Sequence, residues 1–491
     1  MPALIRRRTF PVINALGIVI AIFGLLMFFP LSCSLILDDG ASEHFKTAVY
    51  ITFLCGLLIW LITRQKERRD LYARDGFLLV ALVWLILPIF GALPLLFNDI
   101  QLSFTDAYFE ATSGLTATGA SILPDVENLP RSLNLWRTFL HWIGGMGIIV
   151  LVVAILPLLG IGGRQLFKVE VPTPMKESSL TPRITETAKG LWFTYIFLTI
   201  ACGVSLYYAG MNGWDSLIHA FTVTGLGGFS SYNDSLAHFH SISIETVTVF
   251  FALLAGMNYA THYLALIRHS PHPYFKDPEI RVYFGVILIS ILLLGCYLYL
   301  GDVYFVFTDA MRYAAFHVVS ISTSLGLTTQ DYTQWPVFAQ FWILFLGSFV
   351  SCSGSTGGGI KMMRAIILYK QVYREIIRSL HPNVVYPVRI SKTPVSENVL
   401  YAVLGFSFIY MVSIVSLTLI MAFLGAPPIT AFSAVTACIN NTGPGMDLVG
   451  PMSNYSGFND LQTWVLAFTM TLGRLEIFTL LVVLTPAFWR R

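Results

Sequence analysis

Long apolar runs separated by short polar stretches dominate the chain. Runs long enough to read as membrane-crossing helices fall at about 12–37, 45–63, 76–97, 138–160, 190–209, 244–267, 281–300, 399–424 and 464–488, because about 20 mostly apolar residues cover a hydrocarbon core of roughly 30 Å. A tenth, at about 337–373, is interrupted by Ser351-Cys352-Ser353-Gly354-Ser355-Thr356-Gly357-Gly358-Gly359. Four connections, at about 98–137, 210–243, 301–336 and 425–463, are too long and too apolar to be plain loops. Each begins with a stretch of ten to twelve residues, around Thr105–Ala111, Trp214–Phe221, Thr308–His317 and Pro428–Val435. That is too short to cross a bilayer but suits a re-entrant helix that enters and stops.

Composition narrows the class. The 491 residues are 55% hydrophobic and 12% charged, against about 25% charged in soluble domains. Disorder, a secreted disulfide scaffold and an ordinary cytosolic enzyme are excluded. A net charge of +3 makes no case for a nucleic-acid partner. The six cysteines (Cys33, Cys55, Cys202, Cys296, Cys352, Cys438) show no CxxC spacing and read as small buried side chains. Arg6-Arg7-Arg8 precede an apolar run of 26 residues, well beyond the about 7–15 residues of a signal-peptide core, so the reading is an uncleaved first span. With a cytoplasmic N-terminus and ten alternating spans, 25 of the 30 Lys and Arg fall on the cytoplasmic side. Only Lys46, Arg131, Arg137 and Arg312 fall outside, and Arg474 sits within the last span. This positive-inside pattern predicts a multi-pass protein with both termini in the cytoplasm.

The four re-entrant stretches align without a gap. Nine residues beyond Glu110, His219, His317 and Ala434 stand Gly119, Gly228, Gly326 and Gly443, spaced 109, 98 and 117 residues apart. The segments before these glycines are Ala117-Thr118-Gly119, Leu226-Gly227-Gly228, Ser324-Leu325-Gly326 and Asn441-Thr442-Gly443. An internal repeat of this period predicts an all-α polytopic membrane protein with two leading transmembrane helices (1–75) and four pseudo-fourfold helix–pore-helix–helix repeats. The repeats are 76–189, 190–280, 281–396 with the broken second helix, and 397–491. A helix that stops inside the bilayer leaves its last carbonyls unpaired at its negative end. Four such ends around one axis give a ring of carbonyl oxygens that can replace the hydration shell of a monovalent cation. Glycine lets the backbone turn where a side chain would be penalised. The alternative for any one segment is an ordinary extracellular turn.

The chain resembles the bacterial TrkH subunits of the Trk/Ktr/HKT superfamily of potassium transporters over nearly its whole length. The markers are Gly114-Leu115-Thr116-Ala117-Thr118-Gly119-Ala120, His141-Trp142-Ile143-Gly144-Gly145-Met146-Gly147-Ile148, Gly354-Ser355-Thr356-Gly357-Gly358-Gly359-Ile360-Lys361, Asn440-Asn441-Thr442-Gly443-Pro444-Gly445 and Gly473-Arg474-Leu475-Glu476-Ile477-Phe478-Thr479-Leu480. The resemblance implies potassium uptake across a bacterial cytoplasmic (inner) membrane through one pore per subunit. It also implies a homodimer and a cytosolic nucleotide-binding regulatory ring of the TrkA type. No cofactor is expected in this subunit; potassium is the transported ion. By the same resemblance, in which Ser for the first filter glycine goes with sodium transport in some plant members, glycine at all four filter positions favours potassium over sodium. Leu325 and Leu327, beside Gly326, lead us to expect a looser ring at the third repeat.

Two gate candidates stand out. Arg474 is a cation inside a span, where charges usually face a cavity or a partner. It reads either as a lock with Glu476 or another carboxylate, or as a pore-lining charge that raises the barrier to cations. The run Ser355, Thr356, Gly357, Gly358, Gly359 cannot hold a lipid-facing helix. The resemblance makes it the intramembrane loop closing the pore, continuous with the basic segment Lys361, Arg364, Lys370, Arg374 and Arg378; the alternative is a tight packing site of small residues. The run lacks the GxxxxGK[ST] pattern of a phosphate loop. Asp106, Asp215 and Asp309 are expected to cap the re-entrant helices, with a cation-attracting vestibule as the other reading. His141, His219 and His317 are expected to be bonded core histidines. No nucleophile set or carboxylate pair converges, so no enzyme is predicted. A proton- or sodium-coupled symporter is the alternative function, which would call for titratable groups near the binding site. The filter segments carry no Asp, Glu or Lys. A non-transporting sensor on the same fold is a third reading.

Overall fold

A computed structural model of the chain describes residues 2–64, 73–97, 102–147, 184–390 and 393–490. Helices carry most of it; the strands among the described residues are the two-residue pair Arg389–Ile390 and Thr393–Pro394. The protein is an all-α polytopic membrane protein. Six helices among the described residues are long and apolar enough to cross a bilayer: Phe10–Leu37, Ser42–Thr63, Arg74–Leu96, Ala188–Tyr208, Pro278–Leu300 and Glu397–Phe423. Large apolar side chains such as Ile62, Ile200, Ile289 and Phe408 stay exposed on them, as on a surface that meets hydrocarbon instead of water.

The first two spans pack backbone to backbone. Gly17, Ala21 and Gly24 lie on one face at i, i+4, i+7, against Phe53, Gly56 and Trp60. A Cβ on Gly17 would come within 2.8 Å of the Trp60 nitrogen, and one on Gly24 within 2.9 Å of the Phe53 nitrogen. Small residues permit this approach where helices gain nothing hydrophobic from leaving lipid. Asp39, in the connection between these spans, accepts from the Ser132 backbone N–H at 2.7 Å and so ties the leading pair to the first repeat.

The four re-entrant helices are Phe104–Leu115, Gly213–Gly225, Phe307–Ser322 and Pro428–Ile439. A helix of 12 residues rises only about 18 Å, short of a crossing. Their N-termini correct one expectation. Ser103 and Asn212, three residues earlier, are the N-caps, accepting from the backbone of Asp106 at 3.1 Å and Asp215 at 2.8 Å. The aspartates sit in the first turn and accept from those caps' side chains at 2.8 and 2.7 Å. The third helix is capped by no side chain, and Asp309 lies in its first turn. A carboxylate is favourable anywhere in the first turn through the helix dipole, so the Asp signal was real but misplaced the boundary.

The second helix is interrupted in the second and fourth repeats as well as the third. In the first repeat the helix is Arg131–Gly145, followed by Gly147 at φ +74°; the rest of the expected 138–160 span, and the Pro172–Pro182 stretch, lie outside the described residues. The expected continuous span 244–267 is two helices, Ile242–Ala255 and Tyr259–Arg268, meeting at 94°. Asn258 starts the second by accepting from the Ala260 nitrogen at 2.9 Å. The expected span 464–488 is likewise Asp460–Arg474 and Phe478–Leu484, bent by 112°, with Glu476 and Ile477 both at positive φ. Hydropathy averaged over a window sees neither bend, because the residues at the break are themselves mostly apolar. In the third repeat Val337–Gly347 and Met362–Leu380 flank the long irregular stretch 348–361. Two large apolar clusters hold the repeats: one joins the leading helices with the first and fourth repeats and part of the second, the other the rest of the second with the third.

Candidate functional site

Each re-entrant helix ends in the same backbone figure. Ala117, Leu226, Ser324 and Asn441 take left-handed φ of +51°, +53°, +67° and +51°. The next residues, Thr118, Gly227, Leu325 and Thr442, donate their N–H to the carbonyls of Ser113, Thr222, Ser320 and Ala437, five residues back, at 2.9, 3.0, 2.7 and 2.9 Å. This is the 6→1 closure by which a left-handed residue satisfies a helix end. Gly119, Gly228, Gly326 and Gly443 then take φ of +81°, +88°, +78° and +87°, a region in which a side chain is strained.

The four figures close on one another in cyclic order. A Cβ on Gly119 would run into the carbonyl oxygen of Gly227, and one on Gly326 into that of Thr442. On Gly228 it would lie 2.8 Å from the Leu325 carbonyl oxygen, and on Gly443 2.5 Å from that of Thr118. Each glycine therefore faces the carbonyl preceding the glycine of the next repeat, and the fourth returns to the first. All four glycines line one cavity of about 130 Å³, walled also by Ser121, Arg137, Phe229, Asn233 and Tyr455.

Buried polar side chains pin each figure at corresponding places. Glu110 accepts from the Ile122 nitrogen at 2.9 Å and from Ser121 at 3.1 Å. His219 bonds Ser230 at 3.1 Å and the Asp215 carbonyl at 2.8 Å. His317 bonds the carbonyls of Gln330 at 3.2 Å and Tyr313 at 2.9 Å, and Ser433 donates to the Met446 carbonyl at 3.2 Å. Glu110 is 0% exposed and is paired with Arg137 at 2.7 Å. Arg137 also bonds Asn134 at 2.9 Å and lies 4.2 Å over the Phe229 ring of the second repeat. His219 and His317 are the bonded core histidines expected. His141 is not: it is fully buried, stacked 4.2 Å from Phe229, and neither ring nitrogen has a hydrogen-bond partner among the described residues.

The third figure does not stand apart as expected. Leu325 and Leu327 are 1% and 0% exposed within the apolar cluster of the second and third repeats, while their backbone follows the common path. The fourth differs slightly, because Tyr455 donates to the Gly443 carbonyl at 2.7 Å and Asn441 donates to Thr118 Oγ1 at 2.9 Å.

The interrupted stretch of the third repeat packs against the inner ends of the re-entrant helices. Thr356 donates to the Thr224 carbonyl at 3.2 Å, Ser351 to the Thr323 carbonyl at 3.1 Å, and Gly358 N–H to Ser324 Oγ at 3.0 Å. A Cβ on Gly358 would collide with the Asn440 carbonyl. Thr356, Gly357 and Gly358 are buried; Ser355, bonded to the Cys352 carbonyl at 2.6 Å, and Gly359, with φ +80°, are half-buried. Arg474 completes the junction. It donates to the Thr356 carbonyl at 2.9 Å and to the carbonyls of Gly145, at 2.9 Å, and Gly144. The Arg474–Glu476 lock is not what forms: Glu476 pairs with Arg364, whose guanidinium lies 4.2 Å over the Phe406 ring. At positive φ, Glu476 follows the turn away from the helix that carries Arg474.

Sequence reading missed Glu110–Arg137, the Glu245–Arg312 pair at 2.7 Å and Tyr455. The first was within reach, since Glu110 aligns with His219 and His317. The others join elements with no sequence pattern between them.

An all-α, multi-pass chain built around four equivalent turns on a common cavity belongs among membrane transport proteins, not enzymes. Residues 41–490 match the TrkH family model, described as a cation transport protein. The chain is 41% identical to the Trk system potassium uptake protein TrkH of Escherichia coli K12 over 476 residues, 96% of this chain and 98% of that one. It is 42% identical to that of Vibrio parahaemolyticus over 485 residues, 98% and 99% of the two chains. The crystal structure of the potassium transporter TrkH from Vibrio parahaemolyticus matches with a TM-score of 0.89 at 39% identity, covering 98% of this chain and 100% of that one. The chain belongs to the TrkH family of cation transport proteins.

Proposed function

We propose that this protein takes potassium into the cell through a pore whose filter is the ring of Ala117-Thr118-Gly119, Leu226-Gly227-Gly228, Ser324-Leu325-Gly326 and Asn441-Thr442-Gly443. The observation that carries this is the cyclic closure: four turns of equal φ, each glycine facing the carbonyl before the next glycine. Carbonyls presented from four sides can replace a monovalent cation's water, and the negative ends of four helices favour the positive charge. The relatives named as potassium uptake proteins support the choice of ion. The positive-inside count supports cytoplasmic termini, which puts the cavity bounded by the outer loops on the outside.

The loop Ser355–Gly359 and Arg474 are the gate in this reading. The loop lies against the inner ends of three re-entrant helices, and Arg474 fastens it to the second helix of the first repeat. The basic helix that follows, Met362–Leu380, is the lever for a cytosolic regulatory ring of the TrkA type, and the working unit is a homodimer. Potassium-starved cells lacking their own uptake systems should grow when given this chain. In reconstituted membranes the reversal potential should follow the potassium gradient alone; a shift with pH or sodium would establish a coupled carrier instead.

A further inference from the structure

Irregular backbone within a membrane protein must find partners for its N–H and C=O groups inside the protein. Much of 348–361 does so locally. Ile360 N–H donates to the Ser348 carbonyl at 2.7 Å, Met362 N–H to Ser351 at 2.8 Å and Cys352 N–H to Gly256 at 3.0 Å; the Gly354 carbonyl accepts from Tyr259 N–H at 3.1 Å. Two N–H groups end instead on one carboxyl oxygen. Ser353 and Met363 both donate to Glu279 Oε1, at 2.6 and 2.9 Å. Glu279 is 1% exposed and lies in the first turn of Pro278–Leu300. Asp277, the cap of that helix, accepts from Glu279 N–H at 3.0 Å and from Thr261 at 3.1 Å, so the same turn is held to the bent helix of the second repeat. A single carboxylate thus grips the loop near its start and the lever helix at its root.

We propose that Glu279 is the latch of the intramembrane loop, a positioning residue whose two accepted bonds must break for the loop to leave the inner ends of the re-entrant helices. Bonds to a carboxylate are roughly twice as strong as neutral ones, and both are lost together when the lever helix moves away. The proposal rests on reading the loop as the gate and adds the group that sets its resting position.

The test uses full-length protein in proteoliposomes, with Glu279→Gln beside the wild type. Cys352, 0% exposed and next to Ser353, is a native reporter. Its reaction with a small water-soluble methanethiosulfonate, read on its own peptide by mass spectrometry, measures loop release independently of flux. Glu279→Gln should raise the Cys352 labelling rate about fivefold or more and raise rubidium flux, with the reversal potential unchanged. Faster labelling with unchanged flux upholds the latch and refutes the loop as the gate. Unchanged labelling overturns the latch. Should Glu279→Gln not accumulate, Glu279→Asp keeps the charge on a shorter arm and should give a smaller rise in labelling; no rise there overturns the proposal equally.

Discussion

The outer and inner halves of the four repeats follow different rules. On the outer side, four sequences with little in common beyond one glycine, among them Ala117-Thr118-Gly119 and Ser324-Leu325-Gly326, adopt one backbone figure with φ values agreeing within 16° at each left-handed position. On the inner side the second helices of the second, third and fourth repeats break, and each breaks differently: at a 94° bend capped by Asn258, over the stretch 348–361, and at a 112° bend through Glu476 and Ile477. Under the proposed function, an ion on an axis would meet equivalent oxygens from every side, which would hold the outer backbone to symmetry. The proposed gate beneath it need be built only once, and the other breaks are free to support it: Gly256 and Tyr259, on either side of the second repeat's bend, bond Cys352 and Gly354, and Arg474 beside the last bend bonds Thr356.

Substituting the glycines of the proposed filter should break the symmetry most severely. Alanine at Gly119, Gly228, Gly326 or Gly443 must hold a left-handed φ that costs an L-residue about 1–2 kcal/mol, with its Cβ pressed on a neighbouring carbonyl. Each should abolish rubidium uptake, and the four should do so about equally; one tolerant position would show that its repeat does not share in the ring.

On the inner side, Gly357–Gly359 changed together to alanine forces Gly358 off the Asn440 carbonyl. Displacement worth 1–2 kcal/mol shifts a two-state equilibrium by about 5–30-fold, so basal flux should rise within that range while the potassium-to-sodium ratio stays fixed. Arg474→Ala removes the bonds to Thr356 and Gly145 and should raise flux by less, again without altering selectivity. Unchanged flux with a lowered melting temperature would reassign Arg474 to structure alone.

Leu327→Ala separates backbone from side chain within the ring. Its leucine is fully buried, so stability should fall by about 2–5 kcal/mol, seen in thermal unfolding, with selectivity intact. A changed reversal potential would restore the idea of a looser third repeat.

The smallest effect lies at Asp39, outside the spans. Burial pushes its carboxyl up, but bonds from Ser34 and from the N–H groups of Ser132 and Ala41 outweigh this and hold it below the usual range. A carboxylate so lowered stabilises the fold above its unfolded value of about 3.9 and loses that contribution as pH falls through the folded value. Asp39→Asn should therefore cost about 1 kcal/mol at neutral pH, the gap from the wild type closing as the outer side is acidified below about pH 4.

The outer half was far more legible in the sequence than the inner. Glycine at a fixed distance after four short apolar helices is a local signal, and it located Gly119, Gly228, Gly326 and Gly443 before any geometry. Asp106 and Asp215 marked the right turns but not the caps, because Ser103 and Asn212 cap from one turn earlier. Bends at Gly256 and Glu476 escaped, since apolar residues surround them and hydropathy carries no direction. The loop showed itself by its glycines, whereas its supports did not: Glu279 is 74 residues from Ser353, and Arg474 is 118 from Thr356. Contacts of that kind are set by how the repeats wrap, which no periodicity records.

Rubidium scatters X-rays anomalously and can stand in for potassium, so a crystal grown in rubidium salt asks the decisive question. The account predicts a peak on the axis among the carbonyls of Thr118, Gly227, Leu325 and Thr442, with comparable distances to all four repeats. A peak held by one or two repeats, or lying away from these carbonyls, would contradict it.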